Sequence, residues 1–319
     1  MERNPLTSHR LTRLLIPVDG SAHSKKAAIF SSCIAKAMKE RIQCITLVHV
    51  LAGTHLKEAL EKRDIRASEI LKSDLLKKLR EEHVNAEIRP FLEKEVELLR
   101  KMGVDRAIDY IIENGHPAEK IMEVARKRDF STIIIGRRGL SAMKEFFVGS
   151  VTISLINQPG HPTVYIVSET PVAEDQCPLS RILVPVDGSS HGDSALEEAA
   201  LFLHYFRHDV REVSLLRVID PARYEERQRA GIMPEEEGRE ILDAAKKKVM
   251  EQGVPEDRID TVMLYGKPAN RILDMAMSRN VNMVFMGKRG RSPLKDLVIG
   301  NTATEVIHRL TGAIIVITS

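Results

Sequence analysis

Cysteine is scarce in this chain. Cys33, Cys44 and Cys177 are the only three in 319 residues, and they form no CxxC pair and no Cys/His ligand spacing. That argues against a disulfide framework and a zinc site, and for a reducing compartment. An excess of one charge is missing too: 48 Lys and Arg face 45 Asp and Glu, so there is no basic field to draw nucleic acid. No stretch approaches the roughly 18 apolar residues of a membrane span, and the opening "MERNPLTSHRLTR" lacks an apolar signal core. The expectation is a soluble, cytoplasmic protein with neither nucleic acid nor membrane as partner. Two phosphate-binding strings are also absent, GxxxxGK[ST] and a GxGxxG after the first strand. Their absence excludes P-loop NTPases and Rossmann dehydrogenases.

What is present is a duplication. "RLLIPVDGSAHS" at 13–24 matches "RILVPVDGSSHG" at 181–192, an offset of 168, and "ITLVHV" matches "VSLLRV" at the same offset. Further on, "ENGHPAEKIMEVA" matches "LYGKPANRILDMA" at an offset of 151, so 17 residues are inserted in the first copy between Val50 and Gly115. The repeats run over 11–168 and 179–319, with 169–178 as a proline-containing linker.

Within each repeat, short apolar runs such as "RLLIPV", "CITLVHV", "AIDYII" and "STIIIG" lack alternation, as strands buried on both faces of a parallel sheet do. Amphipathic helical stretches separate them, and Ser21 or Ser24 can cap the first. Alternating strands and helices predict an α/β fold with right-handed crossovers. Residues 54–106, with thirteen basic and twelve acidic side chains around Leu71, Leu75 and Leu79, read as solvated helix bent or broken at Pro90. A coiled-coil or partner-binding role for this segment stays open.

One pattern carries chemistry. Gly136, Gly139 and Gly149, the last followed by Ser150, recur at identical intervals as Gly287, Gly290 and Gly300. Gly136 closes the strand "STIII", at the sheet edge where open α/β folds bind ligands. Gly149 and Ser150 open the helix "SVTISLIN", whose free N–H groups and positive dipole end suit an anion. The constellation fits a phosphate chain, with Arg137, Arg138, Lys288 and Arg289 adding positive charge. Against this stands a plain turn at the first two glycines, with Ser150 an ordinary N-cap. Asp19 and Asp187 close "PVDGS" at the end of each first strand. Such a carboxylate can accept from a base or ribose or help hold Mg²⁺ at phosphates; the alternative is an Asx-turn. His23 and His191, on a polar loop, read as solvent-facing. No nucleophile with an adjacent base recurs, so no catalytic residue is assigned and any ATP hydrolysis is at most slow.

With these residues in view, the chain resembles the universal stress protein family, in its tandem two-domain form, over about 11–319. G-x2-G-x9-G-[ST] is that family's ATP-binding motif, and "PVDGS" and "LVHV" stand where its first two strands end. The resemblance implies two five-stranded parallel sheets of order 3-2-1-4-5, helices on both faces, packed as an internal pseudo-dimer with a homodimer also in prospect. It places adenine contacts on Pro17, Val18, Asp19 and Val50, and ribose and phosphate contacts on Gly136, Arg138, Gly139, Gly149, Ser150 and Val151. In the second copy the positions are Pro185, Val186, Asp187, Val218, Gly287, Arg289, Gly290 and Gly300, with Asn301 where Ser or Thr is usual and Thr302 next to it. The implied ligand is ATP, ADP or AMP, with Mg²⁺ where Asp19 takes part. The implied role is a stress-response protein that senses or signals through nucleotide occupancy. The rival is a dimerising scaffold with vestigial sites.

Overall fold

The computed structural model describes residues 11–52, 73–139, 148–168, 177, 179–290 and 299–319. Its centre is one ten-stranded sheet of order β3-β2-β1-β4-β5-β10-β9-β6-β7-β8. The first repeat supplies β1 (Arg13–Pro17), β2 (Cys44–Leu51), β3 (Ile108–Asn114), β4 (Thr132–Gly136) and β5 (Thr163–Val167). The second supplies β6 (Arg181–Pro185), β7 (Glu212–Ile219), β8 (Ile259–Tyr265), β9 (Met283–Gly287) and β10 (Ile314–Thr318). Each half therefore has the order 3-2-1-4-5 and is parallel throughout. The halves meet at one antiparallel pair, β5 with β10, in the register Val164↔Ile317, Tyr165↔Val316 and Ile166↔Ile315. Joining the two edge strands leaves neither exposed as a template for pairing with another chain.

The helices are α1 (Ala22–Met38), α2 (Ser73–His83), α3 (Arg89–Lys101), α4 (Pro117–Lys127) and α5 (Ser150–Asn157) in the first half. In the second they are α6 (Ser190–Phe206), α7 (Tyr224–Arg229), α8 (Pro234–Met250), α9 (Pro268–Ser278) and α10 (Asn301–Arg309). Two apolar layers sandwich the sheet, and each runs through both repeats. One packs α1, α3, α6 and α8 against residues such as Ile16, Leu47, Val184 and Leu215. The other packs α4, α5, α9 and α10 against Leu15, Ile135, Leu183 and Val284. Strand residues facing opposite layers alternate along the chain while both sets are apolar, which is why the sequence shows runs and no alternation.

Ser21 is the cap of α1, its hydroxyl accepting from Ser24 N at 3.1 Å. Before it, Gly20 has φ +83°, and the matching Gly188 has φ +70°. These are left-handed positions that favour glycine after the strand-end aspartate. His23 and His191 do not sit on a loop: they lie in the first turns of α1 and α6 and are half-buried. The expectation of solvent-facing imidazoles fails because the helix starts two residues after the turn glycine and presses that turn onto the sheet.

The charged segment is only partly solvated. Residues 53–72 lie outside the described ones, Leu71 included, but α3 buries Leu92, Val96 and Leu99 in the core. Its apolar face is already used in the way that α8 uses Leu242, Ala245 and Val249. Pro90 stands in the first turn of α3, where a missing N–H costs nothing, and a π-helical turn at Val84–Ile88 precedes it.

The absence of a disulfide is also corrected. Cys33 on α1 is bonded to Cys177, with Cα atoms 6.0 Å apart and a separation of 144 in sequence. Spacing rules see only local pairs, whereas this one joins α1 to Cys177, the one described residue of 169–178. The cysteine count therefore no longer argues for a reducing compartment. No described helix is long and apolar enough to cross a membrane.

Candidate functional site

At the carboxyl end of β1, Val18 is buried and donates its N–H to Val48 O at 2.9 Å, which fixes the strand end against β2. Asp19 follows, half-buried, and its Oδ1 accepts from Ser21 N at 3.0 Å, the Asx-turn arrangement. Its other carboxylate oxygen lies against Gly139: a side chain there would begin on Asp19 Oδ2. Asp19 thus makes the turn and also reaches the glycine motif. The second half repeats this, with Asp187 Oδ1 accepting from Ser189 N at 3.0 Å and Oδ2 standing 2.6 Å from where a Gly290 side chain would begin.

The three motif glycines do different jobs. A Cβ on Gly136 would lie 2.6 Å from the carbonyl carbon of His23 and 2.7 Å from its oxygen, and one on Gly287 would meet the same atoms of His191 at 2.5 Å. These glycines let the first turn of α1 or α6 rest directly on the neighbouring strand. Gly139 and Gly290 leave room for the aspartates. Gly149 N donates to Arg137 O at 2.8 Å, and a Cβ on Gly149 would lie 3.8 Å from Gly139 N, so the two ends of the motif are folded onto each other. Gly300 N donates to Lys288 O at 2.9 Å in the same way. Residues 140–147 and 291–298, between these ends, lie outside the described residues.

The N-caps are Gly149 and Gly300, not the residues after them. Ser150 and Asn301 are the first helical residues and are exposed at the mouth, with Val151 and Thr302 half-buried behind them. A glycine cap brings no capping side chain of its own to the first helical N–H groups, and such a helix start suits an anion. Pro17 ends β1, Pro185 ends β6, and Val50 and Val218 lie in the last turn of strand before the edge. Arg138 is half-buried, and Arg289 is 9% exposed. All the expected positions therefore gather along the carboxyl edge between strands 2, 1 and 4 of each half.

Two expected cations do not serve their own motif. Arg137 is fully buried, and its guanidinium donates to Leu310 O at 2.6 Å and His308 O at 2.7 Å, at the carboxyl end of α10 in the other half. Lys288, 4% exposed, donates to Gln158 O at 3.1 Å and Asn157 O at 3.4 Å, at the carboxyl end of α5. Burial, with the Arg289 guanidinium beside it, pushes the Lys288 ammonium below the usual lysine range. The side chains point across the seam because each strand-4 end lies next to β5 or β10, where the halves join. Offset matching could have paired Arg137 with Lys288, but it carries no direction.

Sequence reasoning also missed Phe91 on α3. Its ring lies 3.9 Å from where a Gly20 side chain would begin and edge-on to His49, with ring centres 6.1 Å apart. His49 Nδ1 in turn is 2.8 Å from Val18 O. In the second half Arg217 replaces His49 and lies 3.6 Å from Glu237. Nothing in the charged segment singled out one phenylalanine for this place.

Comparison with known proteins agrees with the architecture. The universal stress protein YxiE of Bacillus subtilis (strain 168) is 30% identical over 152 residues, covering 44% of this chain and 99% of that protein. The universal stress protein MJ0531 of Methanocaldococcus jannaschii is 30% identical over 143 residues, 43% of this chain and 81% of the relative. A crystal structure of a universal stress protein from Archaeoglobus fulgidus DSM 4304 shares the fold with a TM-score of 0.66 at 20% identity, over 98% of each chain. The model of the universal stress protein family matches twice, at residues 11–166 and 178–318. With nearly its whole length taken up by those two matches, the chain belongs to the universal stress protein family as a tandem two-domain member.

Proposed function

We propose that this stress-response protein binds an adenine nucleotide at the strand-1/strand-4 edge of each half, and senses or signals through occupancy of those sites. The observation that carries the reading is the meeting of three separate chain segments at one point. Asp19 abuts Gly139, and Gly139 abuts Gly149, which opens α5 without a capping side chain of its own. In the second half Asp187 abuts Gly290 likewise, and Gly300 lies against Lys288 O and Arg289 Cα, just before Gly290 in the chain. Holding a strand-end carboxylate, a glycine loop and a helix start together suits a base or ribose at one side and phosphates at the other.

The domains proposed to house the sites are 11–168 and 179–319. The proposed contacts are those named from the family motif; Arg137 and Lys288, read from the sequence as added positive charge beside it, face the seam. Among the described residues no group of three or more His, Cys, Asp or Glu side chains gathers to hold a metal. A Mg²⁺ at Asp19 would therefore share its coordination with the nucleotide's own phosphates. Denaturing the purified protein and identifying any released nucleotide by mass spectrometry tests the proposal, together with calorimetric titration of nucleotide-stripped protein. Stripped protein that takes up no ATP, ADP or AMP would leave the scaffold reading in its place.

A further inference from the structure

The seam contacts form a closed circuit. Arg137 O accepts from Gly149 N at the start of α5 (2.8 Å), while the Arg137 guanidinium holds the end of α10 through His308 O and Leu310 O. Lys288 O accepts from Gly300 N at the start of α10 (2.9 Å), while its ammonium holds the end of α5 through Asn157 O and Gln158 O. Each of these residues therefore touches the start of its own half's helix by backbone and the end of the other half's helix by side chain. Ile299 N adds a further link, donating to Asn157 Oδ1 at 3.2 Å.

We infer that Arg137 and Lys288 are positioning residues that couple the two nucleotide sites, each strengthening binding in the opposite half. This rests on the nucleotide reading above. The physical ground is that one helix dipole has two ends: an anion is stabilised at the amino end and a cation at the carboxyl end. Helix α5 is eight residues long, about 12 Å. A phosphate at its start and the Lys288 ammonium at its end thus act on the same short dipole, with the charge buried and screened little by salt. Binding free energies are reciprocal, so phosphate at α5 also steadies Lys288 and, through Lys288 O, the start of α10. The circuit makes occupancy of one site favour occupancy of the other.

The test photolabels the intact chain with 8-azido-ATP over a concentration series and reads domain 1 and domain 2 peptides separately by mass spectrometry, with a melting curve for each variant. Lys288→Met should raise the half-saturating concentration at domain 1 about sixfold, the size expected for unit charges some 15 Å apart at an effective dielectric constant near 20. Lys288→Arg should restore it. Arg137→Met should act likewise on domain 2, with rescue by Arg137→Lys. Should Lys288→Met melt below the assay temperature, Lys288→Gln keeps a hydrogen-bond donor without the charge and is expected to show the same domain 1 loss. If these changes lower the melting temperature but leave half-saturation in the opposite half unmoved, the contacts are structural straps and the inference falls. Loss confined to a variant's own half also overturns it. A wild-type chain that takes no label competed by ATP overturns the nucleotide reading itself, and this inference with it.

Discussion

Replacing Gly136 by alanine separates two reasons for a glycine at a ligand-binding edge. The new methyl would lie 2.6 Å from the His23 carbonyl carbon, 2.7 Å from its oxygen and 2.9 Å from its Cβ. Ordinary carbon contact begins near ~3.5 Å, so the first turn of α1 must retreat by roughly 0.9 Å. That turn is not free to move: Ser21 caps it through Ser24 N, and Asp19 is bonded to Ser21 N at 3.0 Å. Forcing a methylene-sized group into such a contact costs about 1–3 kcal/mol. For a domain of this size the loss corresponds to a fall in melting temperature of about 3–9 °C. The control is Gly149→Ala, whose methyl meets Arg137 O at 3.3 Å and Arg138 Cα at 3.4 Å, at φ −60° and ψ 142°, which alanine adopts readily. It should cost no more than about 1 kcal/mol. Paired thermal and urea melts of the two variants decide. Equal losses, or a Gly136→Ala protein as stable as wild type, would refute the assignment of Gly136 to helix-on-strand packing.

Three further outcomes are expected. Reducing the Cys33–Cys177 bond, which closes a long loop across α1, should lower unfolding stability by about 2–4 kcal/mol; urea melts with and without reductant, and of Cys177→Ser, measure it. His161 is 2% exposed, and burial, reinforced by repulsion from Lys288, pulls its pKa down to about 4 despite the bond from Nδ1 to Pro162 O. Because the folded value lies below the unfolded one, its contribution is complete above pH ~6.5 and is lost as pH falls towards 4. Wild type should therefore lose about 2–3 kcal/mol relative to His161→Gln between pH 7 and 4.5, read from chemical denaturation at each pH. Asn301→Ser places a compact hydroxyl at the mouth of α10, and a charge-assisted bond of about 1.5–3 kcal/mol should tighten ATP binding in domain 2 by about tenfold or more; unchanged affinity by calorimetry would show that the backbone N–H groups alone hold the phosphate.

The repeats, the apolar runs of the first four strands, the strand-end aspartates and the glycine intervals were legible along the chain, because each is a short-range pattern that recurs at an offset of 168 or 151. The convergence of "PVDGS" with the glycine motif came from the family resemblance, which implies the 3-2-1-4-5 order that makes strands 1 and 4 neighbours. Tertiary structure alone decided what meets across the seam. Arg137 lies 173 residues from Leu310, and Lys288 lies 131 from Asn157, so no local rule could turn two cations away from the phosphates beside them. The Cys33–Cys177 bond and the place of Phe91 over Gly20 are likewise long-range contacts, though not across the seam. The role of each glycine was hidden as well: the sequence marks where a Cβ is missing, but only the packed neighbours, a helix backbone at Gly136 and a carboxylate at Gly139, give the reason. Periodicity and turn chemistry act over a few residues, whereas the contacts within each half depend on how its helices pack on the sheet, and those of Arg137 and Lys288 on the antiparallel pairing of β5 with β10.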